Sequence, residues 1–297
     1  MDYNLLKTGS SSIVLGRLYY SKYFQPKERK LLKITKTSDI HNEFKFLKSI
    51  RLIDNYDKYY SIPDELTFLL KPEDKFYKYC QKLIKTESIF YGNVKCVYMD
   101  YAGSKDMLDT LNELIQYDNY TFWCSYRRIL KFTKHIMRGL KYLHNKEICH
   151  LDIKPENIII DKYRQTFKII DFGFSSMEPF DDYIEYTKGT PGYFPKDVLE
   201  EKPTEWLPKV IANDFIITNG KFPLMLDRKQ VYKIDSYSFG RVLYFLKHAY
   251  DRGKTYECHN FEKTKGKKID KIIDDLIYSN VYERLTVSQC LHKYFRY

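Results

Sequence analysis

The stretch His150-Leu151-Asp152-Ile153-Lys154-Pro155-Glu156-Asn157 sets a carboxylate, a lysine and a carboxamide at fixed offsets, and Asp171-Phe172-Gly173 follows after a short apolar run. No other part of the chain constrains it as tightly. These residue types at these offsets suit transfer of a phosphoryl group. One carboxylate serves the acceptor hydroxyl, one lysine offsets phosphate charge, and an amide with a second carboxylate suits metal ions. Between the motifs, Ile158-Ile159-Ile160 and Phe167-Lys168-Ile169-Ile170 read as a hairpin turned at residues 161–165, which would bring Asn157 and Asp171 close together.

A chain of 297 residues holds one large domain or two small ones. Hydrophobic residues at 43% and charged residues at 30% are ordinary for a soluble globular protein, and the low Pro and Gly content argues against disorder. The 29 tyrosines fit an AT-rich genome. The formal charge of +11 has two readings: attraction to acidic proteins, nucleic acid or anionic membranes, or lysines scattered over a solvated surface. Basic residues recur along the whole chain, with only small clusters such as residues 263–268, which favours the second. Six cysteines stand far apart without a CxxC pair or a metal-binding spacing, so a reduced, intracellular protein is expected. The N-terminus lacks a signal-peptide pattern and no apolar run is long enough to span a bilayer, so the protein is expected to be soluble.

In their order and spacing the two motifs resemble the catalytic core of a eukaryotic-type serine/threonine protein kinase, and nearly the whole chain lines up with that family. The resemblance implies an α+β, two-lobed fold in a single domain. Residues 1–100 would form a small antiparallel β-sheet lobe with one helix, and residues 101–297 a larger, mainly helical lobe. It implies ATP and Mg²⁺ as cofactors. Asp152 is then the catalytic base or the group that orients the acceptor hydroxyl, Lys154 neutralises charge on the transferring phosphate, and Asn157 and Asp171 hold metal. Ile159 would form the floor beneath adenine.

In the first lobe, residues 3–20 read as two strands and a turn. The turn stands where the family carries its glycine-rich loop. With Val14 on that loop's valine, Lys7, Gly9 and Ser12 occupy the three glycine positions. Gly9, Ser10, Ser11, Ser12 and Val14 are the implied nucleotide contacts, although positive φ is costlier where glycine is gone, and an ordinary hairpin turn explains the same residues. Lys33 ends a strand, either as the lysine that bridges the α- and β-phosphates or as one exposed lysine beside Lys30 and Lys36. Ser38 can cap a helix whose Ile40, Phe44 and Leu47 share one stripe. Glu43 in it resembles the glutamate that pairs with the strand lysine, across a gap short for the family. Residues 54–92 are less regular: a strand within 59–70 interrupted by Pro63, a helical turn or two in 76–85, and a length that implies an insertion. Residues 94–99 are a strand by β-branched and aromatic content. The junction after it resembles the kinase hinge, with Met99 as gatekeeper, Asp100 and Ala102 offering backbone groups to adenine and Asp106 reaching the ribose. A plain loop with Asp106 in the first turn of a helix is the alternative.

In the second lobe, Phe122 to Leu143 repeat at helical spacing, a stripe read as core rather than as a ligand site. Leu151 stands where regulated kinases have the arginine that pairs with a phosphorylated activation segment, so constitutive activity, or control by another route, is expected. Glu178, Asp181, Asp182 and Glu185 supply acids in that segment. Residues 189–197 align with the family's GTPGYxAPE region, which implies that Thr190 bonds Asp152 and Lys154 and that Asp197 pairs with Arg284. Lys154 with Thr190 resembles serine/threonine rather than tyrosine kinases, and Phe174 is the residue type that the family associates with a preference for serine. Asp235 would brace the catalytic-loop backbone. Residues from about 201 to 229 are an insertion, either a regulatory or docking element or a surface elaboration that a long loop tolerates cheaply. The remaining residues, 269–297, read as amphipathic helices.

These readings imply transfer of the γ-phosphate of MgATP to serine or threonine in a protein substrate. The rivals are a pseudokinase scaffold, suggested by the poor glycine loop, and a small-molecule or lipid kinase. The basic charge suggests acidic targets. No nucleic-acid partner and no membrane segment are indicated, and a monomer in the cytoplasm (a host's, if the chain is viral) is expected.

Overall fold

Ile13 and Leu15 are wholly buried while Val14 and Gly16 between and beside them are half-buried, the two-residue alternation of a strand with one face on a core. The computed structural model describes residues 3–8, 12–17, 30–83, 93–103, 105–116, 125–161, 165–177, 183–185, 190, 192–195, 210–212, 215–217, 221–223, 228–252, 263–277 and 281–295. Five strands, β1 (Tyr3–Thr8), β2 (Ser12–Arg17), β3 (Lys30–Lys36), β4 (Pro63–Leu70) and β5 (Val94–Asp100), form an antiparallel sheet in the order β1-β2-β3-β5-β4. Register sets Lys33 opposite Val14 on one side and Val97 on the other. Ile13, Leu15, Leu32, Ile34, Val94 and Cys96 make the core of this lobe.

Helix α1 (Thr37–Arg51) follows β3 without a loop. Ser38 therefore lies inside its first turn rather than ahead of it, correcting the expected cap. Phe46, Leu47 and Ile50 are the buried face of α1. The irregular stretch after it resolves into α2 (Tyr56–Tyr59), β4 and α3 (Lys75–Leu83). Pro63 opens β4 instead of breaking it, because β4 is the edge strand and a first position there needs no ladder N–H. The added helix α3 is part of the small lobe's core through Tyr77 and Cys80.

The larger lobe is built on α4 (Met107–Gln116), α5 (Tyr126–Asn145), α6 (Arg228–Arg252), α7 (Lys263–Ile277) and α8 (Val287–Tyr294). Ser125 caps α5, its hydroxyl accepting from the Arg128 N–H, and Ile129, Phe132, Ile136, Met137, Leu140 and Leu143 are its buried stripe. Helix α6 is buried on all sides from Val231 to Gly240, which makes it the axis of the lobe. A Cβ at Gly240 would lie 2.7 Å from Ile277 Cγ1, so glycine there lets α6 and α7 close on each other. Arg284 is wholly buried with its guanidinium 4.9 Å from the Tyr237 ring centroid, while Asp197 lies outside the described residues.

Three contacts tie the lobes together and so set the cleft. The Tyr60 hydroxyl donates to Gly139 O at 2.6 Å, and the Ser61 N–H donates to Ile169 O at 3.1 Å. At the hinge, a Cβ on Gly103 would sit 2.6 Å from Ile160 O, so only glycine lets the crossing strand press on the sheet below. That sheet has the order β6 (Lys105–Asp106), β8 (Ile158–Asp161), β9 (Thr166–Ile169); β7 (Ile148–Cys149) pairs separately with β10 (Ser176–Met177).

The insertion is not a free-standing elaboration. Its described residues form β12 (Val210–Ala212), β13 (Phe215–Ile217) and β14 (Lys221–Pro223). Strand β14 pairs antiparallel with β11 (Tyr183–Glu185), in the segment that follows Asp171-Phe172-Gly173.

Candidate active site

The loop after β7 is held from below by one carboxylate. Asp235, on the buried axis of α6, accepts the His150 N–H at Oδ2 and the Leu151 N–H at Oδ1, both at 2.8 Å, and its Oδ2 also meets His144 Nε2 at 2.9 Å. Burial pushes Asp235 up, but the His144 bond and charge and the His150 backbone N–H outweigh it and hold the carboxyl below its ordinary range. These bonds matter because Leu151 has φ of 64°, a left-handed conformation that costs a β-carbon residue about 1–2 kcal/mol. Leu151 is itself buried, in an apolar cluster with Cys149, Val231, Tyr232 and Ile234 against which Phe194 packs.

Above this brace, Asp152 is nearly inaccessible and both its carboxylate oxygens are committed. Oδ1 accepts from the Thr190 hydroxyl at 2.8 Å. Oδ2 meets Lys154 Nζ at 2.9 Å and Asn157 Nδ2 at 3.0 Å. The Lys154 ammonium donates to the Thr190 oxygen at 2.7 Å, closing a triangle of acid, base and hydroxyl. Asn157 sits at the end of the 3₁₀ turn Pro155–Asn157 and gives its amide nitrogen twice to Asp152, also to the backbone carbonyl at 2.8 Å. Its amide oxygen is therefore the atom directed elsewhere. The Asn157 carbonyl accepts from the Ile170 N–H at 3.0 Å, so the β8–β9 hairpin fixes the approach to Asp171.

Asp171 also has positive φ, 65°. Its Oδ1 lies 3.8 Å from Lys33 Nζ, and the Lys33 charge holds the carboxyl below its ordinary range against the opposing effect of burial, with help from His150, the Gly173 N–H and Lys154. Next to it, Phe172 is wholly buried between two rings, tilted against His150 at 5.0 Å and edge-on to Tyr60 at 6.0 Å. These rings run from the braced loop to the interlobe contact.

The Protein kinase domain family matches residues 27–295. This chain belongs to the protein kinase family. The kinase domain is 30% identical over 143 residues to the probable serine/threonine-protein kinase fhkB of Dictyostelium discoideum, covering 47% of this chain and 11% of that protein. It is 27% identical over 164 residues to the serine/threonine-protein kinase dkf-1 of Caenorhabditis elegans, covering 52% and 20%. It is 35% identical over 113 residues to the human lymphokine-activated killer T-cell-originated protein kinase, covering 36% and 34%. These matches thus span about a tenth to a third of the curated relatives' lengths. The fold resembles that of the Cydia pomonella granulovirus kinase PK-1, with a TM-score of 0.60 at 16% identity over 100% of this chain and 95% of that one.

Val14 and Ile159 are each half-buried between wholly buried neighbours, so both face away from the lobe cores. Ser12 opens β2, whereas Gly9, Ser10 and Ser11 lie outside the described residues. Glu43 falls within α1, but its side chain is not among those described. Met99 is buried opposite Leu31, and Ala102 is buried at the hinge. The Asp100 carbonyl accepts from the Ser61 hydroxyl at 3.0 Å. Asp106 is 3% exposed, and its Oδ1 accepts the Asp109 N–H at 2.8 Å, capping α4 from the position before its first turn.

Four residues escaped the sequence reading. His144 and Tyr60 carried no signal beyond the general periodicity, and Ser61 none at all. Glu156 lies inside the most readable motif, yet its Oε2 is buried without a hydrogen-bond partner among the described residues.

Proposed function

We propose that this chain is a serine/threonine protein kinase that transfers the γ-phosphate of MgATP to a protein hydroxyl. The carrying observation is the Asp152–Lys154–Thr190 triangle. Asp152 orients the acceptor hydroxyl and takes its proton as the phosphoryl group moves. Lys154 bridges Asp152 and Thr190 and so stands ready to offset charge on the transferring oxygens. Lys33, in the middle of a five-stranded sheet and beside Asp171, is the cation for the nucleotide phosphates. Thr190 in this position, and relatives named as serine/threonine kinases, support an aliphatic hydroxyl as acceptor.

The donor set fits magnesium. The Asn157 amide oxygen and the Asp171 carboxylate are hard oxygen ligands, and the depressed Asp171 pKa keeps it ionised. The ion would neutralise phosphate charge when bound with ATP. Val14 and Ile159 are the apolar faces for the base, with Met99 behind them and Ala102 at the hinge.

No helix of the described residues is long and apolar enough to cross a membrane. Cys80, Cys96, Cys149 and Cys290 are buried free thiols, which supports a reduced compartment such as the cytoplasm. A monomer acting on acidic proteins completes the reading.

Incubation with radiolabelled ATP, Mg²⁺ and an acidic acceptor protein tests it, beside an Asp171→Ala control. Phosphoserine or phosphothreonine in the wild-type product is expected. Label no higher than the control would overturn the proposal in favour of a binding scaffold, and phosphotyrosine alone would refute the acceptor class.

A further inference from the structure

The stripe of α5 was read as core, but the opposite face of the same helix is not bland. Lys134, Arg138 and Lys141 stand at i, i+4 and i+7, on one side of the helix. With Tyr142 they form one wall of a groove of about 830 Å³. Helix α8 supplies the other wall, including Leu291 and His292, and Phe295 closes the end. None of the described lining residues is a carboxylate. The α7 carboxylate that reaches α8, Asp275, is taken by Lys293 at 2.7 Å and by the Tyr294 hydroxyl at 2.6 Å. Lys268 of α7 adds a further ammonium, 4.8 Å from the Phe295 ring centroid. No residue of the Asp152 cluster lines the groove.

We propose that this groove between α5 and α8 is a docking site for an acidic peptide segment of a protein partner. From Lys134 to Lys141 the helix advances about 10 Å at roughly 1.5 Å per residue. An extended peptide covers that span in about three residues, so two carboxylates at alternate positions meet the wall of cations. The peptide's intervening side chain faces Leu291 and the Phe295 edge. Single-stranded nucleic acid fits less well, because it needs open aromatic platforms for its bases. Tyr142 is engaged edge-on with Tyr59, and the Phe295 ring lies beneath Lys134 and Lys268. The inference does not rest on catalysis. It gives the chain's charge of +11 a local use away from the Asp152 cluster.

Fluorescence anisotropy with the full chain tests the site, using a labelled peptide of alternating glutamate and leucine and the same peptide with glutamine for glutamate. We expect the acidic peptide to bind at least tenfold more tightly than the neutral one. The combined variant Lys134→Gln, Arg138→Gln, Lys141→Gln should lose that preference while its unfolding temperature and its labelling of a short generic acceptor stay near wild type. The single reversal Lys141→Glu, which alters one half-buried cation of the wall, should weaken binding severalfold and guards against a misfolded triple variant. Equal binding of the acidic peptide by wild type and both variants would overturn the proposal, as would displacement of the peptide by oligothymidylate at lower concentration than by the unlabelled peptide. Loss of phosphoryl transfer with peptide binding intact would refute only the catalytic reading.

Discussion

The Leu151 N–H donates to Asp235 Oδ1 at 2.8 Å across 84 residues of sequence, and the other oxygen of the same carboxylate holds the His150 N–H. An amide cannot accept at both positions. Asp235→Asn therefore leaves one buried N–H facing a donor, which costs about 1–3 kcal/mol for the unmet group alone. Differential scanning fluorimetry should show a lowered unfolding temperature. Steady-state kinetics should show kcat falling by more than tenfold, because the loop carries Asp152, the proposed catalytic carboxylate. An unchanged kcat would remove Asp235 from the positioning role.

Leu151 fills the apolar cluster of Val231, Tyr232 and Ile234, at the position where the resemblance to regulated kinases implies an arginine. Restoring that arginine in this chain should harm it. Leu151→Arg buries a charge among aliphatic and aromatic groups, at a cost of several kcal/mol, and is expected to aggregate or unfold at markedly lower temperature. The wild type should keep its activity through phosphatase treatment. A severalfold loss of activity on dephosphorylation would show that the activation segment is read by another cation.

What the sequence made legible was what depends on fixed offsets. Asp152, Lys154 and Asn157 sit within one turn of chain, and Asp171 follows a hairpin, so their convergence needs only local geometry. Asp106 was legible as a helix-start acid, and its Oδ1 does accept the Asp109 N–H. Contacts between distant segments that no motif marks were invisible. Tyr60 to Gly139, Ser61 to Asp100 and the pairing of β11 with β14 have sequence separations that no periodicity encodes. Nor does a periodicity argument weigh the polar face of a helix: the stripe that placed α5 in the core hid Lys134, Arg138 and Lys141 behind it.

The β11–β14 ladder offers a route for ordering the activation segment without phosphate. Ile184 lies opposite Phe222, flanked by Tyr183 with Pro223 and Glu185 with Lys221. Proline at either central position removes a backbone N–H and resists the ladder. Ile184→Pro and Phe222→Pro should each speed amide hydrogen exchange in residues 183–185 and lower kcat severalfold. If Phe222→Pro accelerated exchange within the insertion yet left kcat intact, the ladder would be a structural joint without influence on catalysis.

His135 makes acid sensitivity predictable. Its Nε2–H donates to Phe167 O at 2.8 Å, and its ring lies between Tyr59 at 4.9 Å and Phe167 at 5.7 Å. Burial pulls it from 6.5 to about 4 despite those carbonyl contacts. In the unfolded chain the imidazole gains its proton near the ordinary value, while in the fold it stays neutral. The contribution to stability is thus complete above pH 6.5, falls as the pH drops, and levels off below about 4. At pH 5 the loss amounts to about 2 kcal/mol. His135→Gln keeps an N–H for Phe167 O but has no proton to gain. Urea unfolding at pH 7.5 should therefore find the variant less stable than wild type, and at pH 5 the gap should narrow by about 2 kcal/mol or reverse. A gap that stayed constant between the two pH values would mean that His135 titrates alike in folded and unfolded chains.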